Sequence, residues 1–130
     1  MSGISKFVGI EFKEKGRDFD GLDCWGLVYL IYKKCRKIEL PTYTDSYTLA
    51  DQKEIEGLIK NEKSKWQRIC NDFQIYDVLL FRIKGRVAHV GVFVGKGKFI
   101  HCLENVGVVI ESIYSPVWNK RLVGAYRYDN

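Results

Sequence analysis

Residues 16–41 read GRDFDGLDCWGLVYLIYKKCRKIELP, a loop rich in turn residues followed by the apolar pattern of a helix. Counting from the cysteine, apolar residues recur at i+3, i+4, i+7, i+11 and i+14, which places them on one helix face. These residues are Cys24, Leu27, Val28, Ile31, Cys35 and Ile38. Asp23 suits the N-cap position, and Pro41 cannot continue a helix. We therefore predict a helix that begins at Cys24.

Beyond Trp66 the hydrophobic pattern changes to alternation with period two, which is typical of strands with one buried face. Turns of the types KG, GKG and ENVG separate the segments. A second helix is predicted over residues 46–61, and an extended segment over residues 7–12. The predicted strands are Ile75–Ile83, Arg86–Val94, Lys98–Leu103, Val108–Ile113 and Leu122–Tyr128. Helices followed by a meander of strands predict an α+β fold with an antiparallel sheet.

The composition predicts one globular domain over residues 1–130, with 46% hydrophobic and 28% charged residues, and excludes a wholly disordered chain. No apolar run approaches the ~18 residues of a membrane span, and the N-terminus holds no signal-peptide core. We therefore expect no membrane span and no export by the usual route. The net charge of +5 permits an anionic partner, but the 21 Lys and Arg residues are scattered, which disfavours nucleic acid.

The four cysteines, Cys24, Cys35, Cys70 and Cys102, form no CxxC pair and no conventional zinc pattern. We expect all four to be free thiols. Cys24 would be the reactive one, because the N–H groups and dipole of a helix N-terminus stabilise a thiolate. The other three are expected to be buried and to react slowly with alkylating reagents.

The only two histidines, His89 and His101, lie on strands that flank the GKG turn. A hairpin centred on this turn places the imidazoles directly opposite each other or as diagonal neighbours on one face. Gly91 lies beside them, and its missing side chain leaves room. If the Cys24 helix packs on this sheet, its thiol faces the pair, which forms a nucleophile, a base and a residue that orients the base.

Two other interpretations of these residues remain open at this point. The cysteine and the histidines could be ordinary structural residues of the core. Alternatively, Cys24, His89, His101 and Cys102 could bind zinc. Against zinc, Cys102 directly follows His101 in a strand and therefore points to the opposite face.

These residues also resemble the NlpC-type cell-wall cysteine peptidases of the papain-like superfamily. The resemblance is carried by GRDFDGLDCWGLV at residues 16–28, YDVLLF at 76–81 and AHVGVFVGKGKFIHC at 88–102. The tryptophan after the cysteine and the RDFDG lead-in resemble the subset found in bacteriophage tail proteins. The resemblance implies the papain-like NlpC fold, in which an N-terminal helix bearing the cysteine packs on a five- to six-stranded antiparallel sheet.

The same resemblance implies that Cys24 is the nucleophile, that His89 is its general base and that His101 orients His89. It implies a stem peptide of peptidoglycan as substrate, commonly cut between γ-D-glutamate and a diamino acid, and neither a metal nor an organic cofactor.

Substrate contacts are predicted for Asp23, Trp25, Phe12 and Gly91. Many relatives carry a tyrosine about twelve residues before the cysteine, where this chain has Phe12, so that hydroxyl is missing here.

The phage-tail resemblance predicts that the chain is made in the cytoplasm of a bacterial host and acts at the cell wall or periplasm as part of the virion. Its expected partners are the stem peptide and the proteins of the tail tip or baseplate. Two alternatives are a structural tail-tip protein with weak or lost activity, and an amidase or acyltransferase on the same scaffold.

Overall fold

The computed structural model describes residues 3–44 and 65–129. A 3-10 turn, Ser5–Phe7, leads into a two-stranded hairpin, β1 (Arg17–Asp18) and β2 (Gly21–Leu22), and then into helix α1 (Cys24–Ile31). The later elements are β3 (Trp66–Ile69), β4 (Val78–Ile83), β5 (Arg86–Gly95), β6 (Lys98–Leu103), β7 (Gly107–Ser112), α2 (Pro116–Arg121) and β8 (Leu122–Tyr128). The helix predicted over residues 46–61 lies outside the described residues.

Helix α1 begins at Cys24, as predicted, and the Asp23 side chain accepts a hydrogen bond from the backbone N–H of Gly26. Its α-helical part ends at Ile31 and continues as one π-helical turn, Tyr32–Arg36. Lys37 then adopts a left-handed conformation with φ of 58°, which ends the helix before the predicted apolar stripe does. The last residues of that stripe, Cys35 and Ile38, still pack against the core.

The strands β3 to β8 form one six-stranded sheet with the order β3-β8-β4-β5-β6-β7, in which all neighbours are antiparallel. All five predicted strands are present. Strand β4 starts at Val78 rather than Ile75, because a turn precedes it. In this turn Tyr76 has a φ of 79°, and the Asp77 carboxylate accepts a hydrogen bond from the Gln74 N–H. The pattern analysis did not predict β3 or α2.

The sheet is buried on both faces. One face packs against α1 through Val78, Leu80, Val90, Val92, Ile100 and Cys102. The other face carries a smaller cluster that includes Trp118 of α2 together with Leu79, Phe81, Phe93, Phe99, Ile113 and Ala125. No helix within residues 3–44 or 65–129 is long and apolar enough to cross a membrane.

Candidate active site

Cys24 is held at the N-terminus of α1 by a network around the Asp23 carboxylate. Asp23 is 2% exposed, and its Oδ1 accepts from the Gly26 N–H at 2.8 Å and from Arg17 Nη1 at 2.8 Å. Its Oδ2 accepts from the Lys15 N–H at 2.9 Å. A buried carboxylate with three donors is a firm anchor, so the first turn of α1 is fixed in place.

The thiol of Cys24 lies against strand β5. The backbone N–H groups of Val90 and of Trp25 are both within hydrogen-bonding reach of the Cys24 sulfur. Val90 directly follows His89, so the Cys24 sulfur contacts the backbone of β5 next to that histidine. The Cys24 residue keeps part of its surface exposed, whereas its sulfur lies in a buried environment.

His89 and His101 form a direct hydrogen bond. In the β5–β6 register Gly91 lies opposite His101, so the imidazoles are diagonal neighbours, one of the two predicted arrangements. The Nε2 atom of His89 lies 2.9 Å from Nδ1 of His101, and the ring centroids are 5.1 Å apart. A Cβ atom on Gly91 would lie 3.2 Å from the Cβ of His101, so only glycine fits comfortably between them.

Aromatic rings exclude water from the histidine pair. His101 is 0% exposed and His89 is 6% exposed. The ring of Trp118 packs against both imidazoles, with centroid distances of 4.7 Å to His101 and 5.5 Å to His89. Phe81 and Phe99 close the remaining sides at ring distances of 5.8 Å from His89 and 4.4 Å from His101, respectively. The histidines therefore belong to the face covered by α2, whereas α1 covers the opposite face. The predicted arrangement, in which the Cys24 thiol faces the imidazole pair, is not seen, because the contact of the thiol with β5 is with the Val90 backbone.

A carboxylate extends this chain of contacts. Glu111 Oε2 lies 2.6 Å from His101 Nε2, so Glu111, His101 and His89 form a continuous series of hydrogen bonds. The sequence analysis missed Glu111. A signal was present, because a β6–β7 hairpin around the ENVG turn pairs Phe99 with Glu111 and so places Glu111 diagonal to His101 on the same face.

Burial sets the protonation of the site. It raises the pKa of the Cys24 thiol to about 12, with a further contribution from the Asp23 charge, while the N–H groups of Val90 and Trp25 and the charge of Arg17 act in the opposite direction. It lowers the pKa of His89 to about 3, assisted by the nearby His101 and Arg121. Burial also lowers the pKa of His101, although Glu111 opposes that change.

Burial therefore favours a neutral Cys24 thiol and a neutral His89 imidazole in the free protein, against the predicted thiolate–imidazolium pair. The prediction relied on the helix terminus, whose stabilisation of an anion is about 0.3–1 kcal/mol, less than a tenfold change in ionisation. That effect cannot offset a rise in the thiol pKa from 9.0 to about 12.

The ultraviolet absorbance of thiolate tests this protonation state. We expect no thiolate signal from Cys24 at neutral pH, and a signal only in strongly alkaline solution, because the pKa of the buried thiol is about 12. The measurement is the difference spectrum between Cys70→Ser and the double variant Cys24→Ala/Cys70→Ser across a pH titration. A Cys24 signal that is already present at neutral pH would show that the thiolate–imidazolium pair forms in the free protein.

The Cys70 substitution is needed because the structure corrects the expectation for that residue. Cys70 is exposed, so we expect it to react with alkylating reagents without any activation. Cys35 is half-buried rather than buried, and Cys102 is buried as expected. All four cysteines are free thiols, as predicted. The Cys102 sulfur donates to the Leu22 carbonyl at 3.0 Å, on the α1 side of the sheet and away from the histidines.

The four predicted substrate-contact residues lie around the site, each with partners inside the protein. Trp25 is 1% exposed, and its indole N–H donates to the Pro41 carbonyl at 2.8 Å. Phe12 is half-buried and bridges to Leu22, two residues before Cys24. Asp23 caps α1, and Gly91 makes room for His101. Contact of these residues with a substrate stays a prediction.

A thiol at a helix N-terminus beside the strand that carries a histidine, with a second histidine bonded to the first, is the set of groups that acyl transfer through a thiol requires. The chain belongs to the NlpC/P60 family, which matches residues 9–127.

Known proteins agree with this placement. The chain is 27% identical over 127 residues to the murein DD-endopeptidase MepS/murein LD-carboxypeptidase of Escherichia coli K12, covering 98% of this chain and 60% of that protein. It is 36% identical over 111 residues to the murein DD-endopeptidase MepH of the same strain, covering 82% of this chain and 36% of MepH. The fold matches the crystal structure of an NlpC/P60 family protein from Bacillus cereus ATCC 10987 with a TM-score of 0.70 at 24% identity, over 95% of this chain and 37% of the other. The chain thus spans 60% or less of each of these proteins.

Proposed function

We propose that this chain is a cysteine endopeptidase that cleaves amide bonds in the stem peptides of peptidoglycan. The observation that carries the proposal is the bond of 2.9 Å between His89 and His101 beside the capped N-terminus of α1. Because Nε2 of His89 is engaged by His101, Nδ1 is the ring nitrogen left for the Cys24 thiol. The family and the names of the murein relatives support the substrate class.

The proposed reaction begins with attack of the Cys24 sulfur on the amide carbonyl carbon, while the thiol proton passes to Nδ1 of His89. His89 then gives the proton to the leaving amine, and the C–N bond breaks to leave a thioester. Water attacks the thioester with His89 as base, the C–S bond breaks and the proton returns to the sulfur.

For the bond that is cut, we favour the link between γ-D-glutamate and the diamino acid, on the strength of the resemblance to the NlpC-type peptidases. The names of MepS and MepH describe DD-endopeptidases, which points to a different stem bond as the competing possibility.

We further propose that the protein works in the tail tip of a bacteriophage, with tail-tip or baseplate proteins as partners. The support is the sequence GRDFDGLDCW at residues 16–25, which resembles the phage-tail subset of the family. In that location the enzyme would open the wall locally. Immunogold labelling of virions tests the location, and label found only on protein free of particles would contradict it.

Two alternatives lead to different products. If the chain were a structural tail protein with a relict site, no stem fragments would form. The missing hydroxyl at Phe12 would then account for the lost activity. If it were an acyltransferase, the product would carry an acyl adduct instead of an added water.

Digestion of purified peptidoglycan with product identification by mass spectrometry tests the function. We expect soluble stem fragments, in which the masses of the two products of one cleavage sum to the mass of the intact peptide plus one water, and these masses identify the bond. The Cys24→Ala protein serves as the blank. If the folded wild-type protein releases no fragment from peptidoglycans of either the Gram-negative or the Gram-positive type, the endopeptidase proposal is wrong.

A further inference from the structure

We propose that Glu111 is a positioning residue whose carboxylate sets the tautomers of both histidines, so that His89 presents a bare nitrogen to the Cys24 thiol. The inference rests on the proposed peptidase function and adds a residue to its machinery. Glu111 touches neither the thiol nor the ring that takes its proton, and it acts through His101, at 2.6 Å from Nε2 of that ring.

The direction of the hydrogen bonds follows from the inventory of donors. A carboxylate has no proton to give, so Nε2 of His101 must carry the proton in the bond to Glu111. A neutral imidazole carries only one N–H, which leaves Nδ1 of His101 as an acceptor. The partner atom 2.9 Å away, Nε2 of His89, must then be the donor. The single proton of His89 is therefore on Nε2, and Nδ1 is free to accept.

Without Glu111 this direction would be weakly determined. An N–H···N bond between two imidazoles has the same geometry in either sense, and the rings that pack on the pair, those of Phe81, Phe99 and Trp118, make ring contacts and no hydrogen bond to either imidazole. In the reverse sense His101 would donate from Nδ1, and His89 would carry its proton on Nδ1, where it cannot accept one from the thiol. The Glu111 carboxylate thus determines whether Nδ1 of His89 is free to accept the proton of the thiol.

The sheet explains why Glu111 can play this part. Pairing of Phe99 with Glu111 in the β6–β7 register brings the carboxylate to the face that carries His101. The Glu111 side chain is 34% exposed, so its charge remains hydrated. The ring of His101, to which it bonds, is 0% exposed. Such an arrangement keeps the cost of burying the carboxylate low.

The experiment reads the tautomers directly. Because the chain contains only two histidines, its long-range ¹H–¹⁵N imidazole spectrum holds two ring patterns. We expect both rings of the wild-type protein to be protonated on Nε2. Glu111→Gln, whose amide oxygen can accept the same bond, should keep both patterns and stay within about fivefold of the wild-type kcat/KM. Glu111→Ala should mix the tautomers and lower kcat by about 10–100-fold with little change in KM.

Glu111→Lys is the sharpest variant. Its ammonium can only donate, which favours the reverse direction and a proton on Nδ1 of His89, so we expect a loss of kcat of about 10³–10⁴-fold, the scale seen when a catalytic histidine is held in the wrong tautomer. Asp129→Lys makes the same charge change at the exposed end of β8 and should leave kcat and both ring patterns unchanged.

A wild-type spectrum with either ring protonated on Nδ1, or wild-type ring patterns in all three Glu111 variants, would overturn the inference. A Glu111→Gln protein as impaired as Glu111→Ala, with unchanged tautomers, would also overturn it. The spectra decide the inference even if the wild-type protein cleaves no peptidoglycan, so failure of the proposed function and failure of the Glu111 role are separate results.

Discussion

Replacement of Cys24 by alanine is expected to lower the release of stem fragments from peptidoglycan by about 10⁴-fold or more, because it removes the atom that forms the thioester. Cys24 is the first residue of α1 and is only half-buried, so the loss of one sulfur atom leaves the capping network of Asp23 intact. We therefore expect the urea midpoint to change little. The measurement is the initial rate of fragment release at equal protein concentration, with circular dichroism to confirm the fold.

The chain offers a matched control for this variant. Cys70→Ala removes the same atoms from an exposed thiol that follows β3 and should leave the rate unchanged. His89→Gln should reduce the rate nearly as much as Cys24→Ala, and the double variant should be no worse than either, because the thiol and its base act in one step. A Cys24→Ala protein that keeps more than a tenth of the wild-type rate would exclude Cys24 as the nucleophile.

Local features of the sequence predicted two parts of the site, the start of α1 and the pairing of the two histidines. The start of α1 at Cys24 follows from an N-cap residue directly before an apolar stripe, and both features lie within a few positions of each other in the chain. The relation of the two histidines follows from strand alternation around one short turn. The turn gave two possible registers, and the structure shows the diagonal one.

The missed elements depend on contacts that no short window contains. Strand β3 has four residues and pairs with β8, about sixty positions later, so its alternation is too brief to be recognised. Helix α2 has only six residues. Its sequence signals are limited to Ser115 at the N-cap and Pro116 in the first turn. Its Trp118 covers the histidine pair, a role that only the assembled sheet reveals.

The protonation of the site depends on a property that the sequence does not display. The helix dipole and the neighbouring imidazole can be inferred from sequence, and both favour a thiolate. Burial is a property of the assembled fold, and in this fold it raises the pKa of Cys24 and lowers that of His89.

Trp118→Ala should have the second largest effect, on stability and on the pH dependence of activity together. Truncation of a buried tryptophan costs about 3–5 kcal/mol, a large share of the roughly 5–15 kcal/mol typical of a domain. Trp118 is 7% exposed, and its ring contacts the rings of Phe81 and Phe99 as well as both imidazoles. The Arg121 guanidinium lies over the same ring, 5.1 Å from its centroid. A lowered urea midpoint with unchanged slope measures the stability change.

The pH effect of the same variant follows from the histidine pair. In the wild-type protein burial holds the pKa of His89 near 3, so the base remains unprotonated in mildly acidic solution and kcat/KM should stay flat there. Without Trp118, water reaches the ring and its pKa moves up toward the ordinary value of about 6.5. Protons then occupy the base as pH falls through that higher pKa, so kcat/KM of Trp118→Ala should decline between pH of about 7 and 5.

Trp118→Phe separates this effect from a general loss of structure. Phenylalanine keeps most of the apolar cover, so its stability should lie between the other two proteins and its pH profile should stay close to that of the wild type. If the profiles of wild type and Trp118→Ala coincide while their stabilities differ, the indole contributes packing alone. In that case the low pKa of His89 must come from the remaining walls, Phe81 and Phe99, and from the charge of Arg121.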